Sequence, residues 1–173
     1  MENLDKDETI IVIGSGGREY SIIKKLRDDN KNINIICFET NKNDYLLEFC
    51  DTVISLERNN IKQAIANLKQ LRNIKFAIIG PENFLKDGIA DLFKEYNIPC
   101  IGPTKYLAQL ETSKYFCRDF LEKYSDLSSH SPSFKVVTDL DDLETAANSF
   151  KQEIVLKKDG LYRGKGVFVE GVD

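Results

Sequence analysis

Residues 9–21, TIIVIGSGGREYS, constrain the fold more than any other stretch of the chain. Thr9 to Ile13 is a short β-branched run, which reads as a buried parallel strand. It runs directly into Gly14, Gly16 and Gly17, and Arg18 to Asp28 then has helical composition. A strand, a tight glycine turn and a helix start together make a phosphate-cradling arrangement. Glycines let backbone N–H groups approach an anion, and the helix N-terminus adds partial positive charge. The third glycine of a dinucleotide fingerprint would fall at Glu19 and is missing. The turn by itself therefore selects no particular ligand.

The pattern repeats down the chain. Ile33 to Phe38 reads as a second buried strand ending at Glu39, about twenty residues past the glycines, where a Rossmann protein holds a ribose hydroxyl. A strand-end carboxylate facing solvent explains Glu39 equally well. Residues 40–51 are irregular, and Thr52 to Leu56 is a third strand. Asn60 to Leu71 places Ile61, Ala64, Ile65 and Leu68 at helical spacing, so one face is core. Phe76 to Ile79 is a fourth strand stopped by Gly80-Pro81. Phe84 to Tyr96 is a helix, and Ile98 to Ile101 is a fifth strand stopped by Gly102-Pro103. Strands alternating with helices on short turns predict a doubly wound, Rossmann-like parallel sheet with helices on both faces. The turns GSGGRE, GPEN and GPTK then open on the edge where ligands bind in such sheets. Arg18, Glu19, Glu82 and Asn83 are the polar residues there able to touch an anion or an amine.

The second half is less regular. Thr104 can cap one long helix reaching about Tyr124, with Tyr106, Leu110, Cys117, Leu121 and Tyr124 as its apolar stripe. At roughly 100° per residue Lys114 lies about 40° from Leu110. That margin suits a lysine that snorkels to water, or one leaning into a cleft. Ser125 to Ser133 is polar and aperiodic and reads as a linker carrying the sole histidine, His130. Ser133 to Thr138 reads as a strand, and Asp139 to Phe150 as a helix capped by Asp139. Glu153 to Lys157 and Val167 to Glu170 read as two further strands. The loop between them, KDGLYRGKGV, holds Gly160, Gly164 and Gly166 around Lys165. Lysines at both ends of a glycine-rich hairpin suit a triphosphate, although the Walker pattern is absent. A plain glycine hairpin explains the loop alone equally well.

Charge narrows the function classes. A net charge of −4 with no Lys/Arg run leaves no basic face for nucleic acid. No apolar run reaches the roughly 18 residues of a membrane span, and the acidic start MENLDKDET is no signal peptide. Cys37, Cys50, Cys100 and Cys117 have no metal spacing and sit in apolar segments, which predicts buried free thiols in a soluble, cytoplasmic protein.

Taken together and in order, VIGSGGRE, GPEN, GPT, LETSK and VLKKDGLYRGKGV resemble phosphoribosylamine–glycine ligase (glycinamide ribonucleotide synthetase) of the ATP-grasp superfamily, from about Ile10 to Val169. The resemblance implies an ATP-dependent ligase of de novo purine synthesis that uses ATP and Mg²⁺. Such an enzyme phosphorylates the carboxylate of glycine, and phosphoribosylamine attacks the acyl phosphate. It implies that Lys114 and Lys157 contact ATP phosphates and that Gly160, Gly164, Lys165 and Gly166 belong to the loop over them. It likewise implies a substrate cleft at Gly14, Gly16, Gly17, Arg18, Glu19, Gly80, Pro81, Glu82 and Asn83. The implied organisation is a pre-ATP-grasp domain over 1–125, a linker over 126–132 and an incomplete α+β ATP-grasp small lobe over 133–173. Metal ligands and catalytic groups are expected beyond this stretch, so the 173 residues alone are expected to be inactive.

The chain departs from the family pattern at several positions. Tyr20 stands where the family has His, FETNKND replaces a Pro-Gly-Asn-rich segment, and Asn83, Phe84 and Leu85 replace a small-residue and Pro-Leu sequence. Tyr162 and Arg163 replace small loop residues. Two other classes compete: a dinucleotide-binding Rossmann protein using Gly14 to Gly17 and Glu39, and a non-catalytic binding or regulatory module that pairs as a homodimer through apolar edges.

Overall fold

A computed structural model describes residues 8–57, 60–68, 71, 73–162 and 164–172. The chain divides into two compact units, Met1–Ala108 and Gln109–Asp173.

The first unit is built on β1 (Thr9–Ile13), which lies in the middle of a five-stranded sheet and is buried along its whole length. Around it lie β2 (Asn34–Glu39), β3 (Thr52–Ser55), β4 (Ile74–Ile79) and β5 (Cys100–Ile101), in the order β3-β2-β1-β4-β5. Every pairing is parallel. Successive side chains of a strand point to opposite faces, so β1 feeds two cores. Ile10 and Val12 pack with Ile23 of helix α1 (Gly17–Asp29) and with Ile35, Cys37 and Leu46. Ile11 and Ile13 pack on the other face with Ile65 and Leu68 of α2 (Ile61–Leu68) and with Phe84 and Phe93. Each fully buried Ile or Phe contributes about 1.5–3 kcal/mol, and the two-sided demand explains the unbroken apolar run Ile10 to Ile13.

One ion pair ties α1 to the sheet. Arg27 donates to the Ile33, Lys31 and Phe49 carbonyls and to Asp51 Oδ2 at 2.6 Å. The same Asp51 oxygen accepts the Ile35 amide at 2.8 Å, fixing where β2 starts.

Several expectations need correction. The irregular 40–51 stretch contains a 3₁₀ turn, Asp44–Glu48. The helix expected over 84–96 is two, α3 (Glu82–Asp87) and α4 (Ile89–Glu95), because Gly88 at φ +89° ends the first in a left-handed cap. β4 begins two residues earlier than its apolar run suggests. The long helix expected over 104–124 is also two, α5 (Lys105–Thr112) and α6 (Lys114–Lys123). Ser113 is extended (φ −131°, ψ 116°), and its hydroxyl accepts the Phe116 amide at 3.0 Å, an N-cap that restarts the chain as a new helix.

The division between the units falls within α5, and residues 126–132 lie inside the second unit, where α7 (Ser125–Ser128) is a short helix. The strand expected over 133–138 is absent, because those residues have no ladder partner among the described residues. Helix α8 (Leu140–Ser149) starts as expected, with Asp139 Oδ1 accepting the Asp142 amide at 2.8 Å. Strands β6 (Val155–Lys157) and β7 (Val167–Val169) pair antiparallel as a hairpin. All four cysteines are free, but only Cys37 is buried; the other three are half-buried. No helix among the described residues is long and apolar enough to cross a membrane.

Candidate functional site

In the first unit the sheet order reverses between β1 and β4, and the turns that follow these two strands are neighbours at that switch point. Gly14 takes φ +115°, a left-handed conformation open to glycine at little cost. Its amide bonds to the Phe38 carbonyl and the Gly80 amide to Ile13, so both turns are pinned to the sheet. Gly16 precedes α1, whose first-turn N–H groups lie at the crevice. A side chain added at Gly17 would meet nothing within 4 Å, so the backbone there faces open space. Arg18 reaches across the crevice to Glu82 Oε2 at 3.1 Å, tying the GSGGRE turn to the first residue of α3. Pro81 and Asn83 flank Glu82, half-buried in the same turn.

Glu19 does something different from what its sequence position suggests. Its side chain is turned inward and only 3% exposed. Oε2 accepts the Gly16 amide at 2.7 Å, and Oε1 is buried without a hydrogen-bond partner. The carboxylate lies where side chains at Gly14 and Gly80 would be: a Cβ on Gly80 would fall 1.9 Å from Oε1. Glu19 therefore shapes the crevice from behind, and the glycines of both turns are the space it occupies. Glu39 is likewise engaged, accepting the Asn43 amide at 3.2 Å. Ser15 holds the same 40–43 segment, donating to the Asn41 carbonyl at 2.6 Å. A ribose-binding role for Glu39 competes with this internal bond.

In the second unit LETSK meets the glycine-rich hairpin loop. The break at Ser113 moves Lys114 from the flank of one long helix to the first residue of α6. Lys114 Nζ donates to the Gly160 carbonyl at 2.8 Å. Asp159 binds the same helix start, accepting the Lys114 amide at 2.6 Å, the Tyr115 amide at 3.2 Å and the Ser113 hydroxyl at 3.0 Å. Partial burial pushes the Asp159 carboxyl up, but the hydrogen bonds from Tyr115, Ser113, Lys114 and Gly160 outweigh it and hold the group below its ordinary value. Gly160, Gly164 and Gly166 all have positive φ, at +105°, +76° and +74°. The Gly166 carbonyl accepts the Lys158 amide at 2.8 Å, closing the hairpin, and the Lys165 amide bonds to the Tyr162 carbonyl. Lys157 and Lys165 are exposed. The Lys158 ammonium sits 5.6 Å from the Tyr162 ring centroid, a cation–π contact that the bulk at Tyr162 makes available. Arg163 lies outside the described residues.

Sequence reasoning missed Asp159 as the joint between these two segments. Its signal was faint: a carboxylate beside a glycine in one motif, and a Ser ahead of a lysine in the other. Among the described residues no group of three or more His, Cys, Asp or Glu could hold a metal ion.

The family profile described as phosphoribosylglycinamide synthetase, N domain, matches residues 8–111. The chain is 38% identical over 161 residues to the bifunctional purine biosynthetic protein purD of Dictyostelium discoideum, covering 92% of this chain and 19% of that protein. It is 33% identical over 165 residues to phosphoribosylamine–glycine ligase of Methanosarcina acetivorans, covering 94% of this chain and 36% of the ligase. Among solved structures it resembles the ADP complex of the N5-carboxyaminoimidazole ribonucleotide synthetase purK (TM-score 0.68, 18% identity, 94% of this chain and 41% of that one). It also resembles phosphoribosylglycinamide synthetase from Anaerococcus prevotii (TM-score 0.62, 16% identity, 94% of this chain and 38% of that one). At these identities the structures speak to fold alone. The chain thus spans well under half the length of the relatives it matches. With the profile covering both crevice turns and every strand of the five-stranded sheet, this chain belongs to the phosphoribosylglycinamide synthetase N-domain family.

Proposed function

We propose that this chain is the N-terminal part of an ATP-dependent ligase that joins phosphoribosylamine to glycine through an acyl phosphate, giving glycinamide ribonucleotide for purine synthesis. The observation that carries the reading is the contact of Lys114 with Gly160, which joins LETSK to the glycine-rich loop in a chain of this family. Two segments 46 residues apart, both of which the family resemblance assigns to ATP phosphates, meet at one point. On this reading Lys114 and Lys157 supply point charges to ATP phosphates. Gly160, Gly164 and Gly166 supply backbone able to approach them, with Lys165 alongside. The paired lysines and positive-φ glycines suit a polyphosphate, and ATP, once bound, would supply the phosphoryl group that activates the glycine carboxylate.

Mg²⁺ belongs to the same reading as a companion of the nucleotide, although the described residues hold no cluster of His, Cys, Asp or Glu to ligate it. Phosphoribosylamine is assigned to the crevice of the first unit. Its phosphate would face Gly14, Gly16 and Gly17 at the start of α1, with Arg18 and Glu82 at the rim and Gly80, Pro81 and Asn83 forming the opposite turn. Because the chain spans about a third of the ligases' length, we assign it this crevice and the start of the nucleotide-binding lobe, and not the complete reaction.

The test is to purify the polypeptide that carries this sequence from its source and follow ADP release. ADP formed only when glycine and phosphoribosylamine are both present is the expected result; ADP release indifferent to glycine refutes the assignment.

A further inference from the structure

We propose that Asp159 is the positioning residue for Lys114, docking the glycine-rich loop on the start of α6 so that the lysine ammonium is held in place before nucleotide arrives. The proposal rests on the reading that Lys114 meets ATP phosphates.

The geometry works in three steps. Ser113 alone suffices to cap α6, because its hydroxyl already accepts the Phe116 amide. Asp159 arrives from 45 residues away and takes the Lys114 and Tyr115 amides through one oxygen and the Ser113 hydroxyl through the other. The loop is thereby registered against one particular helix turn. The next residue, Gly160, has φ +105°, and the turn it makes presents its carbonyl to Lys114 Nζ at 2.8 Å. A lysine on a flexible four-carbon stem otherwise samples many rotamers. Here its backbone amide and its side-chain tip are both bonded to the Asp159-Gly160 pair. The side-chain partner is a carbonyl, which orients the ammonium without neutralising it. That suits a group waiting for an anion.

The experiment compares the full polypeptide with Asp159→Ala, Asp159→Asn, Lys114→Met and the Asp159→Ala/Lys114→Met pair. In the ligand-free protein, ¹³C relaxation of the Lys114 ε-methylene should report restricted motion, surface-like motion in Asp159→Ala, and partial rescue in Asp159→Asn, whose carbonyl still accepts one amide. Unchanged restriction in Asp159→Ala overturns the proposal. In titrations with MgATP, Asp159→Ala should raise the dissociation constant about tenfold, in line with losing hydrogen bonds to a charged group. In the Lys114→Met background the same change should cost less than twofold, since its effect passes through the lysine. An equal loss in both backgrounds means Asp159 acts on the loop in general, and also overturns the proposal. A parent protein that does not bind MgATP refutes the nucleotide reading instead, while the relaxation comparison still decides whether Asp159 positions Lys114.

Discussion

Replacing Gly80 by alanine tests whether the two crevice turns are locked by a buried carboxylate. A Cβ at position 80 would lie 1.9 Å from Glu19 Oε1, 2.4 Å from Cδ and 2.5 Å from Cγ. Moving the carboxylate tip alone does not relieve a clash that extends to Cγ, so the whole side chain must rotate. Rotation breaks the 2.7 Å bond to the Gly16 amide at the start of α1. Overpacking of this kind costs about 1–3 kcal/mol. Gly80 is not in the left-handed region, so alanine there also stiffens the unfolded chain and returns about 0.4–1 kcal/mol. The net expectation is a loss of about 1–2 kcal/mol. In a Glu19→Ala background the obstacle is gone, and Gly80→Ala should become neutral or slightly stabilising. Urea unfolding followed by circular dichroism reads the difference. With a slope of about 2 kcal/mol/M, the midpoint should fall by about 0.5–1 M in the parent and hold or rise in the Glu19→Ala variant. Equal falls in both backgrounds would refute the reasoning, because the loss would then owe nothing to Glu19.

Three further outcomes follow from the structure. Arg27→Met removes hydrogen bonds to three carbonyls and leaves Asp51 without its guanidinium at the edge of the sheet; it should lower stability by about 2 kcal/mol, and a thermal melt unchanged within error would contradict the anchoring role. Cys50, held down chiefly by the neighbouring Cys37 thiol, should be alkylated by iodoacetamide before Cys100, whose thiol burial and then Asp91 push up to about 11; Cys37, raised by its neighbour Cys50 and by burial and donating to the Gly14 carbonyl at 3.2 Å, should resist, and peptide mapping over time gives the order. The Asp159 carboxyl is held below its ordinary 3.8 in the folded state, so its contribution is fully present above that pH and is lost as the pH falls below it. Exchange protection of the Lys114 and Tyr115 amides should therefore be intact at pH 5 and fall away in more acidic solution, a dependence absent in Asp159→Asn.

What the amino-acid sequence determined by itself is the parallel sheet and the glycine turns that follow β1 and β4. A strand buried on both faces must be apolar at every position, and a glycine turn before a helix is visible as composition. β1 and β2, the start of α1 and the GSGGRE and GPEN turns could therefore be read from the chain, whereas β3, largely exposed at the sheet edge, showed only through the β-branched Thr52, Val53 and Ile54. The cap at Asp139 was equally legible, since a capping side chain acts within three residues of its own position. The helix breaks at Gly88 and Ser113 were present as residue types, yet apolar spacing runs through both, and periodicity cannot weigh a cap against a continuing stripe.

Tertiary structure alone decided what the carboxylates do. Glu19 reads as a crevice-lining acid in the sequence, but it fills the space that Gly14 and Gly80 leave, and those glycines lie in turns after different strands. Glu39 reads equally as a ribose ligand or a solvent-facing strand end, and in the fold its carboxylate accepts the Asn43 amide. Asp159 carried only a faint signal, because its partners are 44–46 residues away and meet it only once the hairpin closes beside α6. The physical reason is one of range. Burial and capping depend on neighbours along the chain, whereas the use of a charge depends on which donors the fold brings to it.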